Sequence, residues 1–198
     1  DTTVSALVGE GDALLESAAV GSRVLLVVPK TPFYAQGGGQ LGDRGAAHTD
    51  SGRARIVDTT KLDDFHLHTC EVEEGSLRSG DPVKLSVDAE WRQATERNHT
   101  ATHLLHAALR EVRGEHVSQA GSEVAPDRLR FDYTQPERPT AEQLAEVERR
   151  VNREVLRATA VEPVVKPLEQ ARAEGFMALF GEKYGDEVRT VTVEGFST

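Results

Sequence analysis

Apolar and polar positions alternate in short runs through residues 1–90, where TTVSALVG, RVLLVV, RARIVDTT, LHTCEV and PVKLSVD are separated by Gly, Pro and Asp. A period of two buries one face of a strand, so this half predicts a small β-barrel or sandwich. Its longest irregular stretch is residues 29–52, PKTPFYAQGGGQLGDRGAAHTDSG, with two prolines and six glycines: Gly37, Gly38, Gly39, Gly42, Gly45 and Gly52. A loop of that length in a small domain points to function or mobility, and its glycines to positive φ and close backbone approach. Neither G-x-x-x-x-G-K-[ST] nor a strand-to-helix G-x-G-x-x-G is present, so it is not a phosphate loop.

From Asp88 the period changes to that of a helix, which runs through DAEWRQATERNHTATHLLHAALREV until Gly114. VSQAGSEVAPDRLRFDYT reads as two strands around a Pro126-Asp127 turn. A second long helix opens at Pro139-Thr140, with a capping box of Thr140 and Gln143 and a stripe of Leu144, Val147, Val151 and Val155. A short helix, LEQARAE, stops at Gly175, and VRTVTV forms a last strand. The expected organisation is α+β, with a β-barrel subdomain over 1–90 packed against a helix-and-antiparallel-sheet subdomain over 91–198.

Three histidines interrupt the first helix. At 100° per residue, Ala101, Leu104, Leu105, Ala108, Leu109 and Val112 share one side, and His99, His103 and His106 fall within roughly 60° on the other. His99 and His103 stand at i and i+4, a spacing that lets two imidazoles meet one metal ion. Two ligands are fewer than zinc takes from a protein, so a metal site and a polar helix face both remain open. His106 is either a third ligand or a hydrogen-bonding neighbour. Cys70, with His66 and His68 nearby, is either a contributor to the same site or a small buried strand residue.

Lysine and arginine number 23 against 33 aspartates and glutamates, and the net charge of -10 argues against broad attraction to nucleic acid. Local basic faces stay open to either a solvated or a phosphate-contacting role: Arg149, Arg150 and Arg153 on one helix, Arg110 and Arg113 on another. A single cysteine allows no intrachain disulfide and fits a reducing compartment, and no apolar run approaches a membrane span. The start at Asp1, with Met177 the only methionine, and the strand-like ending EVRTVTVEGFST give the expectation of a segment from a longer protein.

RNHTATHLLHAALREV followed by HVSQAGSEV and LRFDY resembles the editing domain of alanyl-tRNA synthetase, shared with free-standing alanyl-tRNA editing proteins. The likeness extends through FYAQGGGQLGDRG and ALFGEKYGDEVR and covers nearly the whole chain. It implies hydrolysis of the ester joining serine or glycine to the 3′ end of alanine tRNA, in the cytoplasm, with the parent synthetase's other domains as neighbours and no membrane. It also implies zinc on His99 and His103, with two further ligands from a Cys-x-x-x-His element expected after Thr198. Gln119 matches a residue of the editing pocket, where an amide orients water or the aminoacyl group. Thr100 and Thr102, between the metal histidines, offer hydroxyls for a serine side chain, against the plainer reading of helix filler. Gly37, Gly38, Gly39 and Gln40 are expected beside the pocket or the tRNA end. With the metal set incomplete, a tRNA-binding or interdomain module without hydrolysis is the alternative. Aminoacylation is not supported, because no ATP-binding or adenylate-forming region is recognisable.

Overall fold

The computed structural model describes residues 1–174, 185–193 and 196. Its first strands are β1 (Thr2–Thr3), β2 (Ala6–Val8), β3 (Leu14–Leu15), β4 (Ser17–Ala19), β5 (Arg23–Val27), β6 (Gly45–Thr49), β7 (Gly52–Leu62), β8 (Phe65–Arg78) and β9 (Pro82–Val87). There follow α1 (Ala89–Arg113), β10 (Gln119–Val124), β11 (Leu129–Tyr133), α2 (Ala141–Arg157), β12 (Val161–Pro167), α3 (Leu168–Ala173) and β13 (Glu187–Val193). The chain is thus α+β. It divides into two compact units, Asp1–Arg97 with Ala125–Asp127, and Asn98–Val124 with Arg128–Thr198.

The first unit is built on one antiparallel sheet in the order β1-β9-β6-β7-β8-β5-β2-β3, with β4 paired to β8. This path has two ends, so the described pairings make an open, curled sheet rather than the closed barrel expected from the alternating runs. Alternation has the expected effect on burial: in β5, Val24 and Leu26 are buried while Arg23 is exposed. They join Leu7, Ile56, Cys70, Val72, Leu77 and Val83 in the core. Strand β6, GAAHT, lies inside the stretch read as irregular, because glycine and alanine carry little strand signal.

In the second unit Ala108 and Leu109 of α1 pack with Val117 and Val147, and Leu105, Phe131 and Val151 lie against them. The Thr140 capping box forms: Thr140 Oγ1 accepts from the Gln143 N–H at 3.2 Å, and Gln143 Oε1 from the Thr140 N–H at 3.0 Å. The stripe on α2 is only half covered, since Val147 is buried while Leu144 and Val155 are exposed. β12 pairs with β13 throughout, although no strand was expected there. Pro163 and Pro167 suppress a strand reading and are tolerated at a sheet edge. The end of ALFGEKYGDEVR was expected to begin a strand, and β13 starts at Glu187; residues 175–184, including the Gly175 helix stop, lie outside the described residues.

Two buried polar groups fix the loop between β5 and β6. At its start, His68 is fully buried: Nδ1 lies 3.0 Å from the Leu26 carbonyl and Nε2 lies 2.8 Å from Thr31 Oγ1. Nδ1 therefore carries the proton and Nε2 accepts from the threonine, which in turn accepts from the Phe33 N–H at 3.1 Å. The Phe33 ring meets the imidazole edge-on. At the loop's end the Asp43 carboxylate, 2% exposed, takes the Arg92 guanidinium of α1 on both oxygens and the Tyr34 N–H at 2.6 Å.

Burial, the dominant cause, holds the His68 pKa below its ordinary value, against the Leu26 hydrogen bond and with a smaller contribution from His66. The unfolded chain then binds the extra proton first. His68 stabilises the fold fully above about pH 6.5 and loses that contribution as pH falls below it, by about 1.4 kcal/mol per pKa unit of depression. Thermal unfolding from pH 7.5 to 5 should show a falling midpoint, with a shallower fall in His68→Gln; parallel curves would remove this assignment.

Candidate functional site

The N-terminus of α1 is held within the first unit. Asp88 caps it, Oδ1 accepting from the Trp91 N–H at 3.0 Å, and the Asp88 N–H donates to the Arg44 carbonyl at 2.8 Å. The Trp91 indole N–H donates to the Gly42 carbonyl at 3.2 Å, and the Arg44 guanidinium lies over the indole ring, 3.8 Å from its centroid. The loop also lies so close to β7 that Gly42 admits no side chain, since a Cβ there would stand 2.1 Å from the Thr59 carbonyl oxygen.

His99 and His103 stack one turn apart, ring centroids 5.2 Å apart and planes 13° from parallel. His103 is exposed, yet protein atoms crowd around its imidazole. That loss of hydration, followed by the charges of His99 and His106, pushes its pKa down to about 4. At neutral pH His103 is thus an uncharged imidazole, the form in which histidine binds a metal.

His106 goes elsewhere. It is 6% exposed, its Nε2 lies 3.3 Å from the Val117 carbonyl, and its ring packs 5.1 Å from Phe131. Of the two roles open to it, the structure gives it that of hydrogen-bonding neighbour, because β11 supplies an aromatic cover on the helix face that periodicity left polar. Cys70 is fully buried in the first unit's core, and burial pushes its thiol up to about 12, so it is a packed strand residue and not a thiolate ligand. Among the described residues, no three His, Cys, Asp or Glu side chains group closely enough to hold a metal ion.

Gln119 opens β10 opposite Tyr133, and the register slips between Gln119 and Gly121. A bulge there re-aims the side chain. Its Nε2 donates to Ser122 Oγ at 3.1 Å, leaving the amide oxygen as acceptor. The His106–Val117 contact joins the helix to the chain two residues before it. Thr102 is buried and its hydroxyl donates to the Asn98 carbonyl at 2.8 Å, so it can only accept further bonds; Thr100 is half-buried. These residues, with His99 and His103, belong to the second unit.

The glycine turn belongs to the first unit. Gly37 and Gln40 exchange backbone hydrogen bonds of 3.1 and 2.9 Å, with Gly38 at φ 57° and Gly39 at φ 82° between them. Both central residues are left-handed, as a tight primed turn requires and glycine supplies without strain. Asp43, Trp91 and Arg92 were not legible in the sequence as the groups that hold this loop, since partners 49 residues apart leave no periodic trace.

Residues 1–91 match the family model of tRNA synthetases class II (A). The chain is 56% identical over 186 residues to alanine–tRNA ligase of Thermus thermophilus, an alignment covering 93% of this chain and 21% of that protein. The corresponding ligases of Paracoccus denitrificans and Rhizobium meliloti are 50% and 49% identical over 190 and 191 residues, 96% of this chain and 21% of theirs. The chain is thus similar to class II tRNA synthetases over residues 1–91. Over nearly its whole length it is homologous to a segment of alanine–tRNA ligase, spanning about a fifth of the length of the curated relatives it matches. No helix among the described residues is long and apolar enough to cross a membrane.

In the metal-free chain, NMR titration of the histidine ring protons should give His103 a midpoint near pH 4, rising in His99→Ala as one neighbouring charge is lost. An ordinary midpoint near 6.5 for His103 would refute the crowded, uncharged imidazole.

Proposed function

We propose that this chain is an editing hydrolase module, acting in the cytoplasm on alanine tRNA mischarged with serine or glycine, within a synthetase whose other domains are its neighbours. The observation that carries this reading is the stacked His99–His103 pair, two imidazoles one turn apart on α1. Its donor chemistry fits two positions of a zinc site, and the described residues group no third donor with them. Bound there, zinc would supply a Lewis acid or an anchor for the aminoacyl group.

In the reaction, water adds to the ester carbonyl carbon, the bond to the tRNA 3′ oxygen breaks, and the amino acid leaves as its carboxylate while the tRNA regains its hydroxyl. An aminoacyl ester is already reactive, so positioning and oxyanion stabilisation suffice. The Gln119 amide oxygen orients the water or the substrate amine, its nitrogen being held by Ser122. Thr100 offers a hydroxyl to a serine side chain, and Thr102 offers lone pairs only. A pocket built to pair that side chain selects serine over alanine, which would leave its polar groups unpartnered, and this contact favours serine over glycine as the edited amino acid.

That the described residues supply only two metal donors favours a second reading, a tRNA-binding or interdomain module without hydrolysis. Incubating the protein that carries this chain with Ser-tRNA(Ala) separates the two. Editing predicts serine release, reduced at least about tenfold by His99→Ala and by Gln119→His. Retained tRNA with no released serine would support the binding module, and unchanged release in both variants would remove the site assignment.

A further inference from the structure

Tyr34 is 41% exposed, although it sits in the best-anchored part of its loop. Its N–H donates to the buried Asp43 carboxylate at 2.6 Å, and its hydroxyl donates to the Gly37 carbonyl at 3.1 Å. The ring is therefore fixed at both ends while much of its surface stays in water. The adjoining turn places Gly38 and Gly39 at an exposed tip with no side chain to block approach. An aromatic face already held in place loses little entropy when a flat partner stacks on it.

Charge distinguishes this ring from the other exposed aromatic among the described residues. Phe65 is 61% exposed beside Leu62, at a hairpin tip whose two residues are Asp63 and Asp64, and uncompensated carboxylates there would repel a phosphodiester. At Tyr34 the nearby carboxylate, Asp43, is matched by Arg92.

We propose that Tyr34 and the Gly37–Gln40 turn form a stacking platform for an unpaired base of single-stranded RNA. The base lies on the ring, and the glycine tip lets the sugar–phosphate backbone pass close to peptide N–H groups. This rests on RNA as the ligand of the proposed function but not on hydrolysis. The test is fluorescence anisotropy of a 5′-labelled, uncharged single-stranded RNA ending in CCA, titrated with the protein that carries this chain. Tyr34→Phe should bind within about twofold of the parent. Tyr34→Ala and Tyr34→Leu should both weaken binding about 5- to 150-fold, the value of one base–aromatic stack. Leucine keeps an apolar side chain of comparable bulk, so loss in both, with recovery in phenylalanine, isolates the aromatic face from folding. Unchanged affinity in Tyr34→Leu would overturn the platform, as would equal loss in Tyr34→Phe, which would place the effect on the hydroxyl bond to Gly37. Tyr34-dependent binding without serine release from Ser-tRNA(Ala) would support the platform and sink the hydrolase reading alone.

Discussion

The first unit depends on one buried ion pair. Asp43 is almost wholly withdrawn from water, and a carboxylate in that position is tolerated only when its oxygens are fully engaged. Arg92 engages both oxygens and reaches the Pro32 carbonyl at 2.9 Å as well, so a single guanidinium ties α1 to both limbs of the loop. Tyr34 adds its N–H to the same carboxylate, and the Asp43 carbonyl accepts the Thr59 hydroxyl at 3.0 Å. A loop with four glycines between residues 28 and 44 has a large conformational entropy to lose, and this convergence on one carboxylate offsets it. Removing one partner from such a pair costs on the order of 3 kcal/mol, because the other is left buried and uncompensated. The arrangement thus specifies where the loop lies more than it adds stability.

Helix α1 is a different problem, with two faces covered by different means. Leu104, Ala108 and Leu109 face the expected apolar core, whereas Thr102 and His106 are buried on what periodicity marks as polar. Each is satisfied locally, Thr102 by the carbonyl one turn back and His106 by Val117 and Phe131. Burial on that side also explains the chemistry of His103: it lies at the margin of the cover, crowded enough to stay uncharged and open enough to be reached. His106 is thereby a structural support for the pair above it.

Local signals were read well from the sequence and distant ones poorly. The Thr140–Gln143 capping box, the Asp88-to-Gly114 helix, the Pro126-Asp127 turn and the alternating strands were legible, because each is decided by residues a few positions apart. The six-glycine stretch was read as a functional or mobile loop with positive φ at its glycines; Gly38 and Gly39 have that φ, yet residues Gly45–Thr49 form strand β6, whose small residues carry no β signature. Sheet closure was not legible, since alternation reports a buried face and says nothing about whether the edges meet. The histidine spacing placed His99 and His103 together but could not see Phe131 arriving over His106. The Asp43–Arg92 pair was invisible for the same reason.

The acidity of the chain constrains how it can hold a nucleic acid. Many of its arginines are spent internally: Arg53 and Arg55 pair with Glu71, Glu73 and Glu74 across β7 and β8. On α2, Arg149 and Arg150 pair with Glu146, Arg150 also with Glu111, and Arg153 and Arg157 with the buried Glu154. The helix cluster that the sequence left open between a solvated face and a phosphate contact is therefore already engaged by carboxylates. With a net charge of -10 and its cations so committed, this chain gains little from counterion release. The RNA-end recognition proposed for it would then come from short-range terms, stacking and directed hydrogen bonds, which need rigid and correctly placed groups. A buried carboxylate that fixes a loop, a turn stripped of side chains and a helix pinned at its first turn are the kinds of element that supply such placement.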